Sequence, residues 1–400
     1  MIWTNPGHEL EQPAQRALEK YQGRRLYIYG AGLVGTRAAS SILHLTDWSL
    51  AGLIDQDPKK QGCCINGVKV YALRDVLDRE DLDSCQFLMG LTGSAGADVK
   101  KELDRILQER GTDMRCISYE DFMGRDFPSI TSWHFQKIFV HSLSLIVTDK
   151  CTLNCKNCAI MLPYFKENAV YTLEELEQSI DTAFQKIDFI GDFTVTGGEP
   201  LLCGQLEQVL AYAGHRYRDR IGSFKIITNG TISPSQGLLE VMKTYDIDAE
   251  VSDYTKAVPE IKAGVERTVA AFRENGISCH FLSDAQWVDF GFTKPDKDWS
   301  TDQLTAFFDF CSTTCRGYVN GEIWYCINAG FAERALGRVP DPDNRLDLRK
   351  VGDSLEERRA IVEFDMGFNK KGYVQMCRRC NGSCEINTHF IEVGEQWNGR

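Results

Sequence analysis

Residues 151–158 read CTLNCKNC, three cysteines spaced C-x3-C-x2-C. Nothing else restricts the chain so sharply, because three thiols packed this closely need a common ligand or a covalent partner. Such a group can ligate zinc, contribute to a disulfide, or anchor three irons of a cluster whose fourth iron stays open. A structural zinc normally has four ligands, and no histidine or fourth cysteine stands at a suitable local spacing. A disulfide would leave one cysteine over.

Composition narrows the choice. The N-terminal stretch has no basic region leading into an apolar run, and no segment approaches the length of a membrane span, which predicts a cytoplasmic protein. Fifteen cysteines in 400 residues is a heavy load where thiols stay reduced, so metal or redox work is the expected reason for them. Cys63, Cys64, Cys85, Cys116, Cys203 and Cys279 are scattered and are expected to be small buried residues, while the other nine fall into two groups. A formal charge of -12 argues against nonspecific nucleic-acid or anionic-membrane binding.

Along the chain, RRLYIYGAGLVGTRAASSIL reads as a buried strand, a glycine turn and a helix. Gly30 permits the turn, Gly32 would admit a pyrophosphate, Gly35 lets helix and strand pack, and Asp55, twenty residues after Gly35, is placed for a ribose hydroxyl. The predicted fold class is α/β, beginning with a Rossmann-like, doubly wound sheet over residues 1–125 and a candidate nucleotide site. The stretch GLIDQDPKKQGCCINGVKV resembles Rossmann modules that precede sugar-modifying and polysaccharide-cluster enzymes. From about residue 135, strands alternate with amphipathic helices in five or six units, predicting a partial (β/α)6 TIM-type barrel over 135–300. Thr172, with Glu175 three residues later, predicts one helix start.

The cysteine triad sits directly after the first barrel strand, and in this setting the sequence resembles the radical SAM enzymes. Cys151, Cys155 and Cys158 match the family's cluster loop. Gly197, Gly198, Glu199 and Pro200 match its GGEP segment, which binds the amino group of S-adenosylmethionine. Thr228 and Asn229 of TNG, and Ser252 of VSDY, fall at the ends of the next strands like the family's cofactor contacts. The resemblance implies a [4Fe-4S] cluster with an open iron, S-adenosyl-L-methionine, a 5'-deoxyadenosyl radical, and a flavodoxin or ferredoxin as electron donor. One position departs: the residue before the third cysteine, usually aromatic and near adenine, is Asn157, so Tyr164 or Phe165 is the expected substitute.

Past residue 300, FFDFCSTTCRGYVNGEIWYC predicts a hairpin at VNGE that brings Cys311 and Cys326 within reach, and CRRCNGSC adds Cys377, Cys380 and Cys384. The pattern resembles the twitch or SPASM extension of radical SAM enzymes, implying a small Fe–S domain over 301–400 with one auxiliary [4Fe-4S] cluster on Cys311, Cys326, Cys377 and Cys380. Zinc is the alternative occupant. Cys315 and Cys384 are left over as spare thiols, further ligands, or a hydrogen-atom donor; with Asp253 they are the candidate catalytic residues. Tyr254, His280 and Arg316 are further candidate pocket residues.

The expected reaction is hydrogen abstraction from a carbohydrate, aminocyclitol or nucleotide-linked sugar, ending in oxidation or epimerisation. Modification of a peptide or protein side chain is the alternative. From other classes, an NAD-dependent iron–sulfur oxidoreductase or a noncatalytic iron sensor would leave GGEP unexplained.

Overall fold

The computed structural model describes residues 1, 10–283, 286–311, 315–383 and 386–397. The chain divides into two compact units, one spanning 5–141 and the other 142–400 together with 1–4. In the first, strands β1 (Arg25–Tyr29), β2 (Leu50–Ile54), β3 (Cys64–Ile65), β4 (Val68–Tyr71) and β5 (Cys85–Met89) form one sheet in the order β3-β4-β2-β1-β5. The pairings of β1 with β2 and β5, and of β2 with β4, are parallel. Parallel neighbours need long crossovers, which helices such as Leu33–Leu45 and Gly93–Glu109 provide. The apolar residues of β1 and β5 are buried, and Tyr27, Phe87 and Leu107 lie in one core cluster. The β3–β4 hairpin turns at Asn66 (φ 50°) and Gly67 (φ 76°), a two-residue turn that needs positive φ at both positions. Cys63 and Cys64, expected to be buried, are exposed beside this turn, where the short edge strand has no layer over it.

The glycine turn is shaped by packing. A Cβ on Gly35 would stand 1.8 Å from the Gly30 carbonyl oxygen, so only glycine lets helix Leu33–Leu45 approach β1. Gly32, by contrast, faces open space.

The second unit holds an eight-stranded sheet in the order β10-β9-β8-β7-β6-β12-β13-β14. Its strands are β6 (Phe139–Ile146), β7 (Phe189–Thr196), β8 (Ile221–Thr228), β9 (Asp248–Ser252), β10 (Cys279–Leu282), β12 (Gly317–Val319), β13 (Glu322–Trp324) and β14 (Arg345–Asp347); a separate pair joins β11 (Trp287–Val288) to β15 (Phe390–Ile391). Pairings β7–β8, β8–β9 and β9–β10 are parallel. Helices Leu173–Lys186, Leu206–Tyr217, Gln236–Thr244 and Lys262–Glu274 make the successive connections, and Thr172 and Glu175 form the expected capping box. β12 lies parallel to β6, so the segment expected as a separate domain over 301–400 continues the same sheet. The hairpin at VNGE forms, with Asn320 and Gly321 at positive φ.

The two faces of this sheet differ in chemistry. Phe193, Val195, Phe224, Ile226, Ala249 and Val251 alternate onto one face and are fully buried. The intervening positions carry Asp192, Thr194, Thr196, Ser223, Lys225, Ile227, Glu250 and Ser252. A polar face on a central parallel sheet departs from the usual apolar pattern and marks where a polar ligand would sit.

Gly35→Ala should destabilise the chain by about 1–3 kcal/mol through overpacking. Gly32→Ala should cost under about 1 kcal/mol, since only a capping preference is lost. Denaturant unfolding of the two variants checks the contrast.

Candidate active site

The cysteine loop follows β6 and is laced to the segment following β7. Gly198 N–H donates to Thr148 O at 2.9 Å, and Glu199 N–H to Lys150 O at 2.7 Å. A Cβ on Gly197 or Gly198 would fall 2.2 Å from the carbonyl oxygen of Thr148 or Lys150, so the two glycines are needed for this backbone approach alone. The Glu199 side chain is wholly buried and accepts from Leu201 N–H (3.0 Å), the Thr228 hydroxyl (2.8 Å) and Asn229 N–H (2.7 Å). Burial pushes its carboxyl up, and the donors oppose that shift. Asn229 then extends its Nδ2 to Cys151 Sγ (3.5 Å) and Thr152 Oγ1 (3.0 Å), closing a connection from the β8 end back to the cysteine loop.

Beside this knot lies a cavity of about 260 Å³. Cys151, Cys155 and Cys158 line it, together with Gly197, Gly198, Thr228, Asn229, Ser252, Tyr254 and Trp287. Burial pushes the Cys151 thiol up to about 11 and Cys155 to about 12, and raises Cys158 as well. Cys151 also feels the charge of Cys158, and Cys155 that of both others, as expected of three thiols lining one cavity. Thiols in this setting shed their protons only when a cation takes over, as ligation to iron would do. N–H groups already point at the sulfurs: Leu153 N at 3.4 Å from Cys151 Sγ and Gln396 Nε2 at 3.5 Å from Cys155 Sγ. An all-thiol donor set with N–H donors around it fits an iron–sulfur cluster. Among the described residues, no three His, Cys, Asp or Glu side chains converge on a single metal ion, and three thiolates that each bind a different iron of a cluster need not do so.

Residues 145–282 match the model of the Radical SAM superfamily. The segment is similar to a family that implies a [4Fe-4S] cluster and S-adenosylmethionine. No curated protein matches the chain. Among solved structures, native anSMEcpe with bound AdoMet is 19% identical over 35% of this chain, with TM-score 0.29, and this chain spans 42% of its length. BtrN in complex with AdoMet and 2-DOIA is 14% identical, covering 65% of this chain and 96% of its own, with TM-score 0.35. Streptococcus suis SuiB bound to S-adenosylmethionine is 16% identical, covering 56% and 52%, with TM-score 0.30.

Within the matched segment, the structure separates the expected contacts into two groups. Gly197, Gly198, Thr228, Asn229 and Ser252 reach the cavity; Glu199 and Pro200 are buried behind it. Asn157 does not line it, but faces a smaller recess with Tyr164, Asp289 and Phe290. Phe165 is buried in a core cluster with Trp324 and Phe331. The aromatic wall is instead Tyr254 and Trp287, ring centroids 5.7 Å apart at 74°. Trp287 has no motif around it and was missed; it reaches the cavity from the short strand β11, which follows β10.

Three other candidates are placed elsewhere. Asp253 accepts from Thr255 N–H at 2.8 Å and does not line the cavity. His280 is exposed on β10. Arg316 is buried, paired with Asp365 at 2.8 Å and stacked 3.9 Å from the Tyr325 ring, a structural role.

The second cysteine group also converges. Cys377 and Cys380 each feel the charge of Cys326 and Cys311, and burial pushes Cys326 and Cys380 up to about 12. Ala329 N–H donates to Cys326 Sγ (3.4 Å) and Gly382 N–H to Cys380 Sγ (3.2 Å). Cys384 lies outside the described residues. Cys315 is exposed and within electrostatic reach of Lys225, Asp192 and Glu250 on the polar sheet face. In the first unit, Asp55 is engaged within its own fold, accepting from Ala31 N–H (2.9 Å) and Asp57 N–H (2.9 Å) and pairing with Lys60 (3.0 Å).

Glu199→Ala would leave three buried donors unpaired and should cost about 3 kcal/mol, whereas Glu199→Gln, which keeps one acceptor, should cost about half as much. Chemical denaturation of each variant measures the difference.

Proposed function

We propose that this chain is a radical SAM enzyme that abstracts hydrogen from a small, polar, sugar-like substrate such as a carbohydrate, aminocyclitol or nucleotide-linked sugar. Cys151, Cys155 and Cys158 would hold the cluster. Gly197, Gly198, Thr228, Asn229 and Ser252 would hold the polar end of S-adenosylmethionine, with Tyr254 and Trp287 beside its adenine. Bound together, these groups supply a 5'-deoxyadenosyl radical. The chain's own contribution is to orient the two and to keep water from the reacting carbon.

The observation that carries the substrate class is the polar face of the sheet. Thr196, Ile227 and Ser252 reach the cavity, and the positions two residues back on the same face are Thr194, Lys225 and Glu250. Lys225 is held between Glu250 (3.0 Å) and Asp192 (3.5 Å) with its side chain 14% exposed. Two carboxylates flanking one ammonium behind the cavity lining support a polar substrate with hydroxyl or amino groups. A peptide remains the alternative substrate. For the first unit, a purely structural role is favoured over a nucleotide site, because Asp55 already binds the glycine turn.

Two observations bear on the outcome of the reaction. The convergence of Cys311, Cys326, Cys377 and Cys380 supports an auxiliary [4Fe-4S] cluster as electron acceptor, hence oxidation. Cys315, beside Lys225 and Glu250, supports a second reading in which its thiol returns a hydrogen atom and the product is an epimer. A flavodoxin or ferredoxin would be the electron donor. Among the described residues no helix is long and apolar enough to cross a membrane.

Anaerobic reconstitution should give about eight irons per chain, falling by about half in both Cys155→Ala and Cys380→Ala. Dithionite-driven release of 5'-deoxyadenosine should vanish only in Cys155→Ala. Zinc in place of iron, with no 5'-deoxyadenosine, would sink the proposal. Cys315→Ser separates the outcomes: in an epimerase it abolishes solvent deuterium uptake into product, and in a dehydrogenase the oxidised product still forms.

A further inference from the structure

The segment Glu395–Trp397 lies antiparallel against the cysteine loop, although more than two hundred residues separate them in sequence. Gln396 bridges to Cys155, Lys156 N–H donates to Glu395 O (2.7 Å), and Trp397 N–H donates to Asn154 O (2.6 Å). Asn154 returns two bonds, from its N–H to Gln396 Oε1 (2.9 Å) and from Nδ2 to Trp397 O (2.8 Å). The Trp397 ring packs edge-on against Tyr164 at 4.9 Å. With its Oε1 accepting from Asn154 and its Nε2 donating to Gly394 O (2.6 Å), the Gln396 amide can point only its N–H side at Cys155 Sγ, 3.5 Å away.

Resting on the radical SAM reading, we infer that Gln396 is a positioning residue that raises the reduction potential of the cluster held by Cys151, Cys155 and Cys158. A reduced cluster carries one more negative charge than an oxidised one. An N–H dipole fixed on a ligand sulfur therefore stabilises the reduced form more, and hydrogen bonds to the sulfurs are among the factors that set such potentials. Cys151 receives its donors from Leu153 and Asn229, close to the cavity; the side-chain donor of Cys155 comes from the strap. The strap thus ties the ease of reduction to whether this distant segment is seated on the loop.

The test is a redox titration of the reconstituted holoenzyme, followed by electron paramagnetic resonance, comparing wild type with Gln396→Ala, Gln396→Glu and Trp397→Ala. Gln396→Ala should leave about three- to tenfold less reduced cluster at a fixed potential, and Gln396→Glu, nearly isosteric but charged, still less. Trp397→Ala, which removes the ring contact but not the N–H···S bond, should titrate with wild type at equal iron content. Should Gln396→Ala load poorly, Gln396→Glu carries the same comparison. A bound cluster whose potential is unchanged in both Gln396 variants overturns the inference alone. A wild-type chain that binds no such cluster overturns the radical SAM reading and the inference with it.

Discussion

The buried carboxylate of Glu199 is the interaction on which the site depends. Its two oxygens take donors from three places, its own turn, the Thr228 hydroxyl and the Asn229 backbone, and so tie the end of β7 to the end of β8. The Glu199 N–H is meanwhile bound to Lys150 of the cysteine loop. A charge this deeply buried is tolerable only when its lone pairs are filled. Filling them fixes where three strand ends stand relative to one another, and the cavity is what remains between them.

The same economy appears in the glycines. Gly197 and Gly198 are required because neighbouring carbonyls leave no room for a Cβ, independently of any cofactor contact. In the first unit Gly35 answers an identical constraint, while Gly32 does not. A motif that looks like a ligand signature can therefore be maintained by chain packing, and Asp55, whose carboxylate turns inward onto Ala31, shows the same substitution of an internal partner for an external one.

Polarity is distributed to match. One face of the second sheet is closed by aromatic and branched residues, and the other keeps Asp192, Lys225 and Glu250 in contact with each other. The charged row satisfies itself in the resting chain, at a cost in desolvation that a purely structural sheet would avoid. Cys315 is exposed within electrostatic reach of this row, and Cys377 and Cys380 each feel the charge of Cys311 and Cys326.

Local features of the sequence were enough to show the strand–helix alternation, the capping box at Thr172, the Asn-Gly hairpin at VNGE and the cysteine triad, because each depends on neighbours a few residues away. The nearness of Cys311 and Cys326 was legible for a similar reason: a two-residue turn folds the chain back between the helix end that carries Cys311 and the helix start at Cys326. Contacts between distant segments were not legible. No period or spacing marks Trp287 as a cavity wall, Asn157 as facing a different recess, or Gln396 as the donor to Cys155, since those placements follow from how the connections between strands are folded back over the sheet. The sequence by itself determined which chemical groups are present and which elements carry them. Only the tertiary structure decided which of those groups face one cavity, because that depends on the register and order of strands that are far apart in the chain.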